Sequence, residues 1–128
     1  MSRVVHFEIH ASDPSVLVAF YAEVFGWKFN RWGEVDYWLV ETGTADQPGI
    51  NGGLVLRRGP KPDPAAPVSS FVCTIEVDSL EATLSRAQGR GAVLALPRMP
   101  IAGVGWLAYV KDPDGNLVGV MQPDAQAA

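Results

Sequence analysis

Polar and apolar residues alternate through Val5-His6-Phe7-Glu8-Ile9-His10. A period of two is a strand, with His6, Glu8 and His10 on one face and Val5, Phe7 and Ile9 on the other. The run stops at Asp13-Pro14, where Asp caps free amides and Pro suits the first helical position. Leu17, Phe20, Tyr21 and Val24 then recur at helical spacing, and Gly26 ends the helix. Three strands follow: 27–32, 36–41 and 52–58, with a turn at Gly33-Glu34 and a loop from Thr42 to Asn51.

Four prolines within Gly59–Pro67 make that stretch a semi-extended spacer. Beyond it the pattern restarts. Residues 70–77 read as a strand, and Asp78 with Glu81 resembles a capping box. Leu80, Leu84 and Ala87 mark a helix closed by Gly89 and Gly91, and 92–96 is a strand. A loop around Pro97, Pro100 and Gly103 leads to a strand at 106–110. Asp112-Pro113-Asp114-Gly115 is a hairpin turn, 117–121 the last strand, and 123–128 a tail expected to fray. Asp13 to Gly26 and Asp78 to Gly91 both span 13 positions (26 − 13 and 91 − 78), offset by 65 residues (78 − 13). Each half reads strand, helix, three strands, which is an internal duplication. The expected organisation is module one at 1–58, linker at 59–67, module two at 68–122 and tail at 123–128, all in one domain.

With 128 residues, 48% apolar and 19% charged, the chain has an ordinary globular composition. A net charge of −4 and scattered basic residues argue against nucleic acid. No apolar run reaches the roughly 18 residues of a membrane helix, so a cytoplasmic protein is the simplest expectation. Cys73, the only cysteine, sits in an apolar run and is expected to be a small buried core residue.

His6-Phe7-Glu8-Ile9 with Asp13, Phe20-Tyr21, Phe25-Gly26-Trp27, Val77-Asp78 and Asp112-Pro113-Asp114-Gly115-Asn116 span nearly the whole chain. In that order they resemble the vicinal oxygen chelate superfamily of glyoxalases, bleomycin-resistance proteins and extradiol dioxygenases. Gly49-Ile50-Asn51-Gly52-Gly53 and Pro100–Trp106 resemble its bacterial glyoxalase-like subgroup. The resemblance implies an α+β fold of two tandem βαβββ modules whose curved mixed sheet forms a concave cleft. A dimeric ferredoxin-like barrel is the rival fold, but it has no midpoint duplication.

Metal-using members of that superfamily take ligands from the opening and closing strands of each module. Carried over, these positions are His6 and Val72, with Leu56 and Gly119 closing. Only His6 has a side-chain donor, whereas such an ion wants imidazole and carboxylate ligands. His10 lies roughly 13 Å along the strand from His6 and cannot complete the set. The expectation is therefore no metal and no cofactor.

On this reading the cleft holds His6 and Glu8, with Val72, Thr74, Gly119 and Met121 from the second module and Leu54 and Leu56 from the first. Trp38 and Trp106 can stack on a planar ligand or pack in the core. Asn51 can offer its amide to a ligand or simply shape a turn, and the stretch from Arg98 to Trp106 can form a lip over the cleft. His6 and Glu8 are a possible acid–base pair, or His6 is a hydrogen-bonded relic, and His10 an exposed strand end. The leading expectation is a metal-free binder of a small, partly aromatic molecule, working as a homodimer. The alternatives are an enzyme (a metal-dependent lyase, isomerase or dioxygenase, or a metal-free catalyst using His6 and Glu8) and an interaction domain.

Overall fold

The computed structural model describes residues 2–128. The chain forms two compact units, one up to Lys61 and the other from Pro62 to Ala128. The first unit runs β1 (Glu8–Ala11), α1 (Pro14–Phe25), β2 (Lys28–Arg31), β3 (Tyr37–Glu41) and β4 (Gly52–Leu56). Its four-stranded sheet has the order β1-β4-β3-β2, with β1 parallel to β4 and the other pairs antiparallel. The second runs β5 (Thr74–Glu76), α2 (Leu80–Gly89), β6 (Val93–Ile101), β7 (Gly105–Lys111) and β8 (Leu117–Pro123). It repeats the topology as β5-β8-β7-β6. These are the two βαβββ modules that the duplication predicts.

Local chemistry sets the helix ends. Asp13 accepts the Ser15 amide at 3.1 Å, Pro14 follows, and Gly26 closes α1 in the left-handed region at φ 75°. In α2 the cap is Ser79, whose hydroxyl accepts the Ala82 amide at 3.2 Å, rather than Asp78. Cap to cap, the offset is therefore 66 residues (79 − 13). The sheets agree: Glu8 pairs Gly53 and Thr74 pairs Gly119, each 66 apart (74 − 8 and 119 − 53).

One face of each sheet is apolar and buried with its helix. In the first unit Ile9, Ala11, Val40 and Leu54 are buried along with Leu17, Phe20, Tyr21 and Val24 of α1. In the second, Ala108, Val110, Val118 and Val120 are buried along with Leu80, Leu84 and Ala87 of α2. Each such Leu, Val or Phe contributes roughly 1.5–3 kcal/mol when fully removed from water.

Several expectations fail for physical reasons. β5 begins at Thr74, so Cys73 precedes it and is exposed rather than a core residue. β6 extends through Pro97 and Pro100, which were expected in a loop. It is an edge strand with two register irregularities, a setting that tolerates proline, so Arg98 belongs to a strand rather than to a lip. The tail is tied down: Asp124 donates its amide to Val104, Ala127 accepts from the Gly103 amide, and Ala127 is buried. Among the described residues, no helix is long and apolar enough to cross a membrane.

Candidate functional site

Paired residues on neighbouring strands project to the same side, so the registers sort the side chains by face. The helix-free face of the first sheet carries Glu8 and His10 of β1, Gly53 and Val55 of β4, and Tyr37 and Leu39 of β3. His6 lies just ahead of β1, with its Nε2 2.8 Å from the Tyr37 hydroxyl oxygen. The Glu8 carboxylate lies near enough for its charge to act on the same hydroxyl. The other side of the Glu8 carboxylate meets His10, with Nε2 3.4 Å from Oε1. One imidazole thus meets a phenol and the other a carboxylate.

Gly53 makes this row possible. It is buried, and a Cβ built on it would collide with the Tyr37 hydroxyl and ring. Only glycine lets the phenol settle against the backbone of β4. Partial burial, then the charge of nearby Glu8, raise the Tyr37 pKa above the ordinary 10.0. A phenolate beside a carboxylate is disfavoured, so Tyr37 is a neutral phenol, able to hold or pass a hydrogen bond but poorly suited to act as a base.

The helix-free face of the second sheet carries Thr74 and Glu76 of β5, Gly119 and Met121 of β8, and Leu107 and Tyr109 of β7. A Cβ on Gly119 would come within 2.9 Å of the Thr74 hydroxyl oxygen and 3.2 Å of the Tyr109 ring. Here too the glycine makes room for its neighbours. This face lacks the imidazoles of the first.

The remaining sequence candidates lie elsewhere. Leu54 and Leu56 pair Ile9 and Ala11, so both project to the helix-bearing face; the helix-free positions of β4 are Gly53 and Val55. Trp38 pairs Leu54 and shares that side, with the Arg31 guanidinium 5.1 Å above its ring. Trp106 pairs Gln122 on the helix-bearing face of the second sheet. The Arg98 guanidinium lies 4.2 Å over its ring, and its indole N–H donates to Asp124 at 3.0 Å. Asn51 uses its side-chain oxygen to accept the Thr42 amide at 2.9 Å, closing its own loop. Val72 precedes β5 and is exposed. Sequence reasoning therefore found His6, Glu8, Thr74, Gly119 and Met121 on helix-free faces and missed Tyr37 and the part played by His10. Val40 carried the missing signal, because a core residue three positions on puts Tyr37 on the opposite face.

These positions do not suit the metal that the sequence resemblance brings with it. The 66-residue offset pairs His6 with Val72 and Gly53 with Gly119, so three of the four places have no side-chain donor. At the fourth, His6 Nε2 already faces a phenol. The space above Gly53, where a carboxylate would have to project, holds the Tyr37 ring. No three His, Cys, Asp or Glu side chains gather among the described residues.

A family model described as the Glyoxalase/Bleomycin resistance protein/Dioxygenase superfamily matches residues 3–120. Solved structures share the fold. A glyoxylase/bleomycin resistance protein/dioxygenase domain from Frankia sp. EAN1pec has 21% identity over 97% of this chain and 99% of that one, with a TM-score of 0.71. A glyoxalase-related enzyme from Fulvimarina pelagi has 17% identity over 100% and 98%, also at 0.71. A glyoxalase/bleomycin resistance protein/dioxygenase family enzyme from Burkholderia phytofirmans PsJN has 17% identity over 93% and 97%, at 0.70. No curated protein matches.

Proposed function

The chain belongs to the glyoxalase/bleomycin resistance protein/dioxygenase superfamily, and we propose that it binds a small, partly aromatic molecule on a helix-free sheet face without a metal ion. The observation that carries this reading is the pair of glycines, Gly53 and Gly119, at the closing-strand positions, with Tyr37 seated over the first and bonded to His6. Tyr37, His6 and Glu8 offer polar recognition beside Val55 and Leu39. Thr74, Gly119 and Met121 offer a more apolar surface with a single hydroxyl. A few placed polar groups among apolar ones are what small-ligand sites commonly contain.

Metal analysis of protein purified without chelators, followed by a native mass-spectrometry screen of small aromatic molecules, tests the proposal. Substoichiometric metal together with saturable ligand binding that weakens in His6→Ala is the expected result. Stoichiometric Ni, Zn, Mn or Fe that is lost in His6→Ala overturns it in favour of a metal-dependent lyase, isomerase or dioxygenase.

A second reading has a specific observation behind it. The His6–Tyr37 contact, with the Glu8 carboxylate near the same hydroxyl, gathers groups of the kind that move protons in acid–base catalysis. A metal-free enzyme would use His6 and Glu8 as acid and base. We also favour a homodimer, because Val4, Val5, Val68 and Phe71 are exposed apolar residues next to the edge strands β1 and β5. Sedimentation of the intact chain at a single monomer mass would reject that assembly.

A further inference from the structure

The four tryptophans of the chain are not alike. Trp27 lies flat against Tyr21, with ring centroids 5.1 Å apart and planes 8° from parallel. Trp38 and Trp106, on the helix-bearing faces, each carry an arginine guanidinium over the ring. Among the described residues, Trp32 is the tryptophan with nothing laid flat upon it. Its ring neighbour is Tyr37, set edge to face at 6.1 Å and 72°. It is also the exposed one, at 64%, where the other three are half-buried.

The register puts this bare ring on the helix-free face. Asn30 pairs Leu39, so Asn30 shares the side of Leu39 and Tyr37, and Trp32 two residues on shares it too. The Trp32 amide continues the ladder by donating to the Tyr37 carbonyl at 2.9 Å. Across the sheet Trp32 is followed by Tyr37, Val55 and His10. The hairpin beneath it is held from the other side, where Arg31 donates to the Val35 carbonyl at 2.9 Å and pairs Asp36 at 3.0 Å. A ring mounted on a fixed turn loses little freedom when another ring stacks on it.

We propose that the open face of Trp32 is the platform on which the aromatic part of a ligand stacks, and that the ring it takes is uncharged or cationic rather than anionic. This rests on the reading of the helix-free face as a ligand site and adds which residue grips the ring and what charge it accepts. The face of a tryptophan ring is negative and attracts cations better than that of tyrosine or phenylalanine. The chain itself uses that attraction twice, at Trp38 and Trp106. The charges on the helix-free face act in the same sense: carboxylates at Glu8 and Glu41 against the ammonium of Lys28, in a chain of net charge −4. Leu39, on the same face of the neighbouring strand and 45% exposed, adds apolar surface beside the ring.

The test titrates three flat two-ring probes into the full chain at neutral pH: N-methylquinolinium, quinoline and 2-naphthoate, which are a cation, a neutral molecule and an anion. Indole N–H resonances report on each tryptophan, and Trp32→Phe identifies the one from Trp32. The expected order of affinity is cation, neutral ring, anion, with the Trp32 resonance shifting while those of Trp38 and Trp106 stay. Trp32→Ala is expected to weaken the cation about fivefold, the upper end for one exposed cation–π contact, and Trp32→Phe less.

Probe binding that leaves the Trp32 resonance unmoved and survives Trp32→Ala overturns the platform, and loss of that binding in His6→Ala would still keep the face as a ligand site. Binding of none of the three also overturns the platform, whatever a wider ligand screen finds. An anion bound as tightly as the cation overturns the charge assignment. A Trp32 resonance that moves with protein concentration alone gives the open ring to a second copy of the chain, and overturns the platform as well.

Discussion

The hydroxyl of Tyr37 occupies the space directly above the α-carbon of Gly53, where any larger residue would place its Cβ. The two residues lie on adjacent antiparallel strands, β3 and β4, and each constrains the other. Gly53→Ala is expected to cost about 1–3 kcal/mol, the usual range for overpacking, and to break the contact between His6 and Tyr37. In a Tyr37→Ala background the same alanine should cost little, because the collision is gone. Urea unfolding of the four proteins in a double-mutant cycle gives the coupling, and additive costs would contradict it.

Alkaline titration tests the environment of Tyr37. Burial and the charge of Glu8 raise its pKa above 10.0. Below the ordinary phenol range the folded and unfolded chains both hold this proton, and Tyr37's contribution to stability is fully present. As pH rises past about 10, the unfolded chain releases the proton first, so the contribution falls and is lost as pH passes the folded-state value. Unfolding measured across that window should show a steeper loss in the wild type than in Tyr37→Phe. Ultraviolet difference absorbance should show a late-titrating tyrosine that is absent from the variant.

Trp38 and Trp106, read from the sequence as ligand contacts or core residues, both lie on the helix-bearing faces. Trp106→Phe loses the N–H bond to Asp124 and part of the stacking with Arg98. The expected cost is about 1–2 kcal/mol, with affinity for an aromatic probe unchanged. Trp38→Phe should likewise leave binding alone. Calorimetric titration of both variants checks this, and a lost affinity in either would return that tryptophan to the site.

Helix α2 gives a sharp comparison of neighbouring residues. Ser79 caps it, so Ser79→Ala should cost about 1 kcal/mol. Asp78→Ala, one residue earlier, should cost much less. Equal losses on denaturant unfolding would mean that the cap is shared.

The C-terminal segment is a structural part of the second unit. Removing residues 124–128 deletes the Asp124 bond to Trp106, the Ala127 bond to Gly103 and the buried Ala127 side chain. A loss of about 2–3 kcal/mol in thermal or urea unfolding is expected, where a frayed tail would give none.

How much was legible follows from what each stretch contains. Asp13-Pro14 and Gly26 carry their own backbone chemistry, so α1 was readable at both ends. The duplication survived because element order and length repeat. Gly52-Gly53-Leu54-Val55-Leu56 gave no face, since neither set of alternate residues in it is polar. A period of two without contrast has no sign, and Leu56 was placed on the wrong side by one step. Tyr37 and Trp38 posed the same difficulty as adjacent aromatics, decided only by the pairing of Trp38 with Leu54. Cys73 read as core because Phe71-Val72-Cys73 looks like strand, yet β5 has only three residues. Its small polar residues made the tail look loose; its hydrogen bonds depend on partners near Val104, far away in the chain.

The arginines lying over tryptophans repeat in both units: Arg31 on Trp38, held by Asp36 at 3.0 Å, and Arg98 on Trp106, held by Glu81 at 3.2 Å. Their spacings differ slightly, 67 residues between the arginines (98 − 31) and 68 between the tryptophans (106 − 38), in keeping with the irregular register of β6. The opposite faces share a glycine, Gly53 and Gly119, but differ around it: Glu8 answers to Thr74, His10 to Glu76 and Val55 to Met121. After duplication, then, the two copies kept one clasp behind each sheet while their fronts became chemically unlike. Residues exchanged between copies at the clasps should be tolerated, whereas the same exchange at the fronts would erase the difference between an imidazole-bearing surface and one without.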